Sequence, residues 1–302
     1  MKNLKIILLL MVLFNWNHFY GQGCSDAGFC TISTFKPNSA DSINEFKNQV
    51  KFGAFYGNAD NSITVYGNYV EYNRQLNNRF VLNTKLTTLA QNGNGISTFG
   101  LSDLYVNANY KINEKAKVTF GAKIPLNNST NKEGDLPLPM DYQSSLGTFD
   151  LLLGFGYEIK KFQFVAALQQ PLTQNDNEFL ASDFPLQSEI SSFQSTRGFI
   201  RSGDVLIRVS YPFDLTSKLK LTPSILPIYH LANDKYKDEL NIEREIKGSQ
   251  GITLNGNVYL DYKINSKSDI QLNLGMPFMV RDTRPDGLTR SFIANLEYSF
   301  KF

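Results

Sequence analysis

The chain has 302 residues, 42% of them apolar and 19% charged, with a formal net charge of +2. Gly 21, Pro 11 and Cys 2 place it outside the collagen-like, disordered and disulfide-dense classes. The long apolar run, Ile6 to Phe14, falls well short of the ~20 residues a membrane-crossing helix needs, and the near-balanced charge offers no clustered basic face for nucleic acid.

Lys2 and Lys5 lead into that apolar run, and a polar stretch, Asn15 to Gln22, follows it. This is the layout of a secretory signal peptide, expected over residues 1–22. Its removal takes away Trp16 and His18 and leaves a nearly neutral chain with His230 as its histidine. A lipidated Cys24 would follow such a leader directly, but Gly21-Gln22-Gly23 matches the aliphatic-small-small approach poorly. Cys24 and Cys30 lie six positions apart, which in an exported chain reads as a disulfide closing a small loop. A soft-metal site is the alternative, and two thiols without further ligands leave it incomplete; no metal or cofactor is expected. Residues 23–46 then form a periplasmic segment, long enough to enter a barrel lumen as a plug.

From residue 47 the apolar period is two. Strands are expected near 48–56, 62–72, 79–90, 98–111, 116–125, 148–158, 162–170, 203–211, 219–228, 252–263, 269–278 and 291–302. The fold class is therefore all-β: an antiparallel transmembrane barrel of about twelve strands over residues 47–302, each close to the ~9–11 residues a tilted membrane strand requires. The segment 62–72 fits least well, because Ile63, Val65, Tyr66 and Val70 do not keep to one face. A secreted β-sandwich also alternates and is the soluble alternative.

An internal repeat supports the barrel. Asp103 to Tyr110, Asp150 to Tyr157 and Asp204 to Tyr211 each place an acid seven residues before a tyrosine, and Asn255 to Tyr262 is a fourth copy with Asn for Asp. Odd and even positions point oppositely, so the tyrosines share the outward face of Leu104, Val106 and Ala108 while the acids face inward. The tyrosines fit an interfacial girdle, and each acid lies about 23 Å away, at ~3.3 Å per residue, near the outer mouth. Short turns follow the tyrosines, while long segments follow Pro125, Pro171 and Pro227, the asymmetry of outer-membrane barrels. Prolines lack a ladder N–H and belong at a rim.

Inward positions include Lys117, Thr119, Lys123, Asn107, Asn109, Gln163, Gln169, Arg208, Ser210, Asn257 and Tyr259, a polar lining suited to a hydrated or plugged lumen. Asp103, Asp150, Asp204 and Asn255, with Lys123 and Arg208, are the candidate lumen and mouth residues. They read either as a ring giving cation preference or a polar gate, or as carboxylates paired with Lys123 or Arg208, since charges at membrane depth usually pair. The outer segments carry Leu136, Leu138, Met140, Phe179, Leu180, Phe184 and Leu186, read as a capture site or as loops packed over the mouth. His230, near Asp234, is the opening for a hydrolase, but no serine stands in a hydrolase context, and a non-enzyme is expected. Asp234 to Lys247 holds nine charges and reads as a solvated segment, with a helix as one of its forms.

The runs Gly100 to Leu104, Leu136 to Leu151 and Pro277 to Arg281, followed by Gly287 to Arg290, resemble the outer-membrane channel family named after the meta-pathway of phenol degradation. That family is similar to the FadL and TodX channels for hydrophobic compounds. The resemblance spans roughly residues 50 to 302 and implies a monomeric outer-membrane channel admitting small apolar or aromatic solutes. The Cys24–Cys30 lead departs from the family and looks more like secreted Bacteroidetes proteins, and loop lengths differ freely. The alternative is a structural or surface-interaction barrel without transport.

The last strand alternates most clearly, with Phe292, Ala294, Leu296, Tyr298, Phe300 and Phe302 on one face. The partners expected are outer-membrane lipid and the barrel-assembly machinery, the latter through Tyr298, Phe300 and Phe302. Deletion of Phe302 is expected to depress membrane insertion, read as loss of the heat-modifiable band on a detergent gel; normal insertion would contradict the register.

Overall fold

A computed structural model describes residues 32–38, 46–287 and 290–302. The expected leader, Cys24, Cys30 and most of the segment 23–46 lie outside the described residues. Twelve strands form a single antiparallel barrel. They are β1 (Asn48–Ala59), β2 (Thr64–Gln75), β3 (Phe80–Gly93), β4 (Ile96–Lys111), β5 (Ala116–Pro125) and β6 (Asp150–Ile159), followed by β7 (Phe162–Pro171), β8 (Asp204–Ser210), β9 (Leu219–His230), β10 (Gly251–Lys263), β11 (Ser268–Met279) and β12 (Arg290–Lys301). Each pairs with its chain neighbour, and β1 pairs with β12 from Gln49↔Lys301 to Ala59↔Arg290, which closes the cylinder. Closure matters because hydrocarbon offers no partner for an unpaired edge.

The alternation sorts side chains as the sequence predicts. Phe120, Phe155, Ile207, Ile225 and Leu296 face outward, whereas Asn107, Lys123, Gln169, Arg208, Asn255 and Tyr259 are buried inside. Aromatic rings gather at the end where β1 starts and β12 stops: Phe80 against Tyr110, Phe162 against Tyr211, and Tyr211 against Phe213 pack with centroids 4.8–4.9 Å apart. Phe300 and Phe302 stack beside them at 6.0 Å. All turns at this end are short; the long connections 126–149, 172–203 and 231–250, and the described part of the last one, 280–287, all lie at the other.

Several details differ from expectation. Strands β3 and β4 run further outward because Asn94 and Gly95, at φ 51° and 78°, make a two-residue hairpin turn. Ile63, just before β2, and Val65 point inward while Tyr66 and Val70 point out, so alternation holds and apolar residues on both faces mark where the lumen itself turns apolar. Pro125 and Pro171 end their strands and Pro277 meets Asn255 at a register shift. Pro227 lies inside β9 rather than at the rim, where the β8–β9 ladder skips from Leu206↔Ile228 to Val209↔Ile225 and requires no donor from it. The charged segment 234–247 is not a helix. Lys235–Lys237 pairs with Glu243–Glu245 as a hairpin, with Lys235 2.7 Å from Glu243 and Arg244 2.8 Å from Asp238.

A cation at the lipid-facing midpoint should be costly and one at the girdle should not. Leu296→Arg is expected to destabilise the barrel by about 2–4 kcal/mol and Tyr262→Arg by about 0–1 kcal/mol, measured by urea unfolding from lipid vesicles; equal costs would contradict this depth assignment.

Candidate functional site

The lumen is divided lengthwise by chemistry. Along β6–β9, with Tyr105 from β4, its wall is apolar: Leu152, Val165, Ala167, Leu206, Leu226 and Ile228. Across from it, β12, β1, β2 and β3 carry ionised and amide groups. Direct cross-strand register sets Lys51 beside Glu71, Glu71 beside Lys85, and Lys85 beside Tyr105. Glu297 of β12 takes a hydrogen bond from Tyr69 at 2.6 Å and one from Lys51 at 3.0 Å. Lys85 lies over the Tyr69 ring, 4.1 Å from its centroid, a favourable cation–π distance.

Residues 32–38 run between the two walls. Ser33–Phe35 form one 3₁₀ turn, which points residues 32 and 35 to one side and 33, 34 and 36 elsewhere. Ile32 and Phe35 pack into the apolar wall and are almost wholly buried. Phe35 reaches it because position 154 is glycine: a Cβ there would stand 2.3 Å from Phe35 Cε1. The polar residues answer the other wall. Lys36 Nζ donates to Glu297 at 2.8 Å, Thr34 donates to Asn83 at 3.0 Å, and Ser33 Oγ accepts from Lys51 at 2.7 Å. Asn38 continues towards the girdle end, donating to Thr222 and Asp261 at 2.9 Å. There a cavity of about 210 Å³ opens, lined by Gln49, Asn73, Asn109, Lys117 and Gln163 among others.

The candidate residues from the sequence form a buried polar belt near the outer ends of the strands, not an open ring. Asp150 pairs with Lys123 at 2.8 Å, both fully buried, and accepts from Gln169. Lys123 also donates to Thr148. Asp103 is capped by Ser102 and by Ser145 of the loop above. Asn255 donates to the Leu226 carbonyl at 3.3 Å. Asp204 pairs with Arg201 and His230 rather than with Arg208. Arg208 instead donates to the Phe35 carbonyl at 2.6 Å and lies over the Tyr259 ring, because its height on β8 matches the axial segment and not the acid belt.

Above the belt the loops seal the mouth. Leu138, Tyr142, Phe179, Ile190 and Phe193 pack onto Phe55, Ile63, Val65, Leu89 and Ile96 of the wall. A second cluster joins Met140, Leu146, Phe199 and Ile246. Of the apolar loop residues, Leu186 stays 91% exposed and Leu136 partly so, whereas Leu180 is buried and Phe184 packs on the cap. His230 has both ring nitrogens on carboxylates, Nδ1 at 2.7 Å from Asp204 and Nε2 at 2.8 Å from Asp234. Arg281 and Asp286 join that network, which ties three loops to the barrel.

The sequence reading missed the Glu297, Lys51, Glu71, Lys85 and Tyr69 group and its partners Thr34 to Lys36. Glu297 was visible as a charge on the inward face of the last strand, but its partner Lys36 lies 261 positions away.

No protein-family model matches the chain, and no curated protein does. Solved structures that resemble it include the NanC porin, 11% identical with a TM-score of 0.47 over 84% of this chain and 100% of that one. The CymD monoaromatic hydrocarbon channel is 8% identical, with a TM-score of 0.47 over 93% and 94% of the two chains. The toluene transporter TbuX of Ralstonia pickettii is 9% identical, with a TM-score of 0.46 over 92% and 94%.

One loop acid makes the seal pH-dependent. Burial pushes the Asp141 carboxyl up from 3.8 to about 7, with the nearby Asp60 and Asp286 charges adding to the rise. A carboxyl raised in the folded state holds a proton that the unfolded chain has released, so stability is lost as pH climbs from 3.8 to about 7. Asp141→Asn is therefore expected to slow proteolytic nicking of segment 126–149 at pH 8 relative to the parent while changing little at pH 4; equal nicking at pH 8 would contradict the assignment.

Proposed function

We propose that this chain is an outer-membrane channel for passive uptake of small, hydrophobic or aromatic molecules, with residues 23–46 acting as a plug. The observation that carries the reading is the fit of Ile32 and Phe35 to the apolar wall and of Lys36 to Glu297. With the plug withdrawn, an apolar strip lies bare along β6–β9, and a separate apolar cluster stands under the loops against β1–β4. A small aromatic molecule gains about 25 cal/mol for each Å² of apolar surface it covers there, and the opposite polar wall keeps the lumen hydrated. Asp103, Asp150, Asp204, Asn255 and Lys123 act in this reading as a structural belt that holds the mouth, and Arg208 as an anchor for the plug.

The same reading has the leader 1–22 exporting the chain, a Cys24–Cys30 disulfide stiffening the plug tip, and Phe302 engaging the barrel-assembly machinery. It also has the chain related to the phenol meta-pathway channel family and its FadL and TodX relatives, through the runs Gly100 to Leu104, Leu136 to Leu151 and Pro277 to Arg281. A hydrolase is disfavoured because both His230 nitrogens hold carboxylates, which leaves neither free to take a serine proton. A barrel without transport is the second reading, favoured by the apolar seal of the outer loops.

Planar-bilayer conductance separates the two. Gly154→Leu drives a side chain into the space of Phe35 Cε1 and is expected to raise the open probability of the full chain at least about tenfold, the effect of roughly 1.4 kcal/mol of lost plug binding. A barrel without transport stays closed in parent and variant alike.

A further inference from the structure

The plug is a ligand built into the chain, and its chemistry describes what its seat accepts. Resting on the channel reading above, we infer that the seat of Phe35 and Lys36 is a cargo site for small amphiphilic cations, molecules that join an aromatic ring to a primary ammonium. The ring half of the seat is the apolar wall, cleared to backbone level at Gly154. The cationic half is Glu297, 2.8 Å from the Lys36 ammonium, with the Tyr69 ring 5.7 Å away. Between them Arg208 binds the Phe35 carbonyl.

The carboxylate that Lys36 vacates, Glu297, sets the sign of the preferred cargo at its end of the seat. The ionised wall holds Lys51 and Lys85 against Glu71 and Glu297, and Lys36 adds a third cation to it. When Lys36 leaves, Glu297 keeps Lys51 but loses its second ammonium. Neither oxygen of the fully buried Glu71 has a hydrogen-bond partner among the described residues, so the wall retains acceptors for an incoming N–H. A cargo carboxylate in place of the Lys36 ammonium would stand 2.8 Å from Glu297 and be repelled. A neutral aromatic would fill half the seat and leave the other half without its cation.

Both short peptides with an aromatic–basic step and simple aryl-alkyl amines carry this chemistry. The full chain with Phe35→Ala and Lys36→Ala is placed in planar bilayers, and block of its conductance is titrated with four probes: Phe-Lys amide, 6-phenylhexylamine, hexylamine and benzyl alcohol. A ring-plus-ammonium probe is expected to block at a concentration at least about tenfold below hexylamine and benzyl alcohol. Block by both ring-plus-ammonium probes identifies aryl-alkyl amines as sufficient; block by the peptide alone means the Arg208–carbonyl contact is required. Glu297→Gln should erase the advantage over benzyl alcohol. A conducting variant that all four probes block equally, or none blocks, overturns this inference and leaves the channel reading standing. A variant that never conducts overturns both.

Discussion

Backbone hydrogen bonding in a medium without water is the constraint on which this molecule depends. A strand in hydrocarbon must give every N–H and C=O to a neighbour, and twelve antiparallel strands do so by joining the first to the last, β1 to β12. Once the cylinder closes, the two faces of every strand acquire different solvents. The period of two, the aromatic girdle and the short turns at one end all follow from that division. So does the burial of lysines and arginines, which survive inside only because the lumen pairs them.

The lumen shows a second division of the same kind, made across the cylinder instead of through its wall. Its apolar side is contributed by β6–β9 and its ionised side by β12 and β1–β3. Unpaired charges there would cost several kcal/mol each, which is why Lys51, Tyr69 and Lys36 converge on Glu297. A peptide with its apolar side chains on one side and its polar ones on the other matches such a lumen, and the 3₁₀ turn of residues 32–36 sorts Ile32 and Phe35 from Ser33, Thr34 and Lys36 in that way. The seating of residues 32–38 between the two walls therefore follows from the wall's asymmetry.

Much of this was legible in sequence, and the remainder was hidden for physical reasons. Strand number, facing and the end at which loops fall depend on local alternation, which Phe292 to Phe302 or Asp150 to Tyr157 display within eleven residues. Ile63 and Val65 looked like a weak strand because alternation presumes a polar interior, and theirs is the apolar cap. Which inward groups meet across the lumen depends on tilt and on heights of distant strands, which no window of sequence contains. Arg208 was therefore matched to a carboxylate when its height gave it the Phe35 carbonyl. The loop 234–247 misled because its charges alternate at a hairpin spacing that a helix reading also tolerates.

The central claim is that the outward rows are solvated by an amphiphile and the inward rows by water and by one another. Its direct measurement is analytical ultracentrifugation with far-ultraviolet circular dichroism on the purified, processed chain, with and without detergent micelles. The account predicts a strand-rich monomer in micelles and aggregation once they are withdrawn; a strand-rich, monodisperse monomer in plain buffer would contradict it.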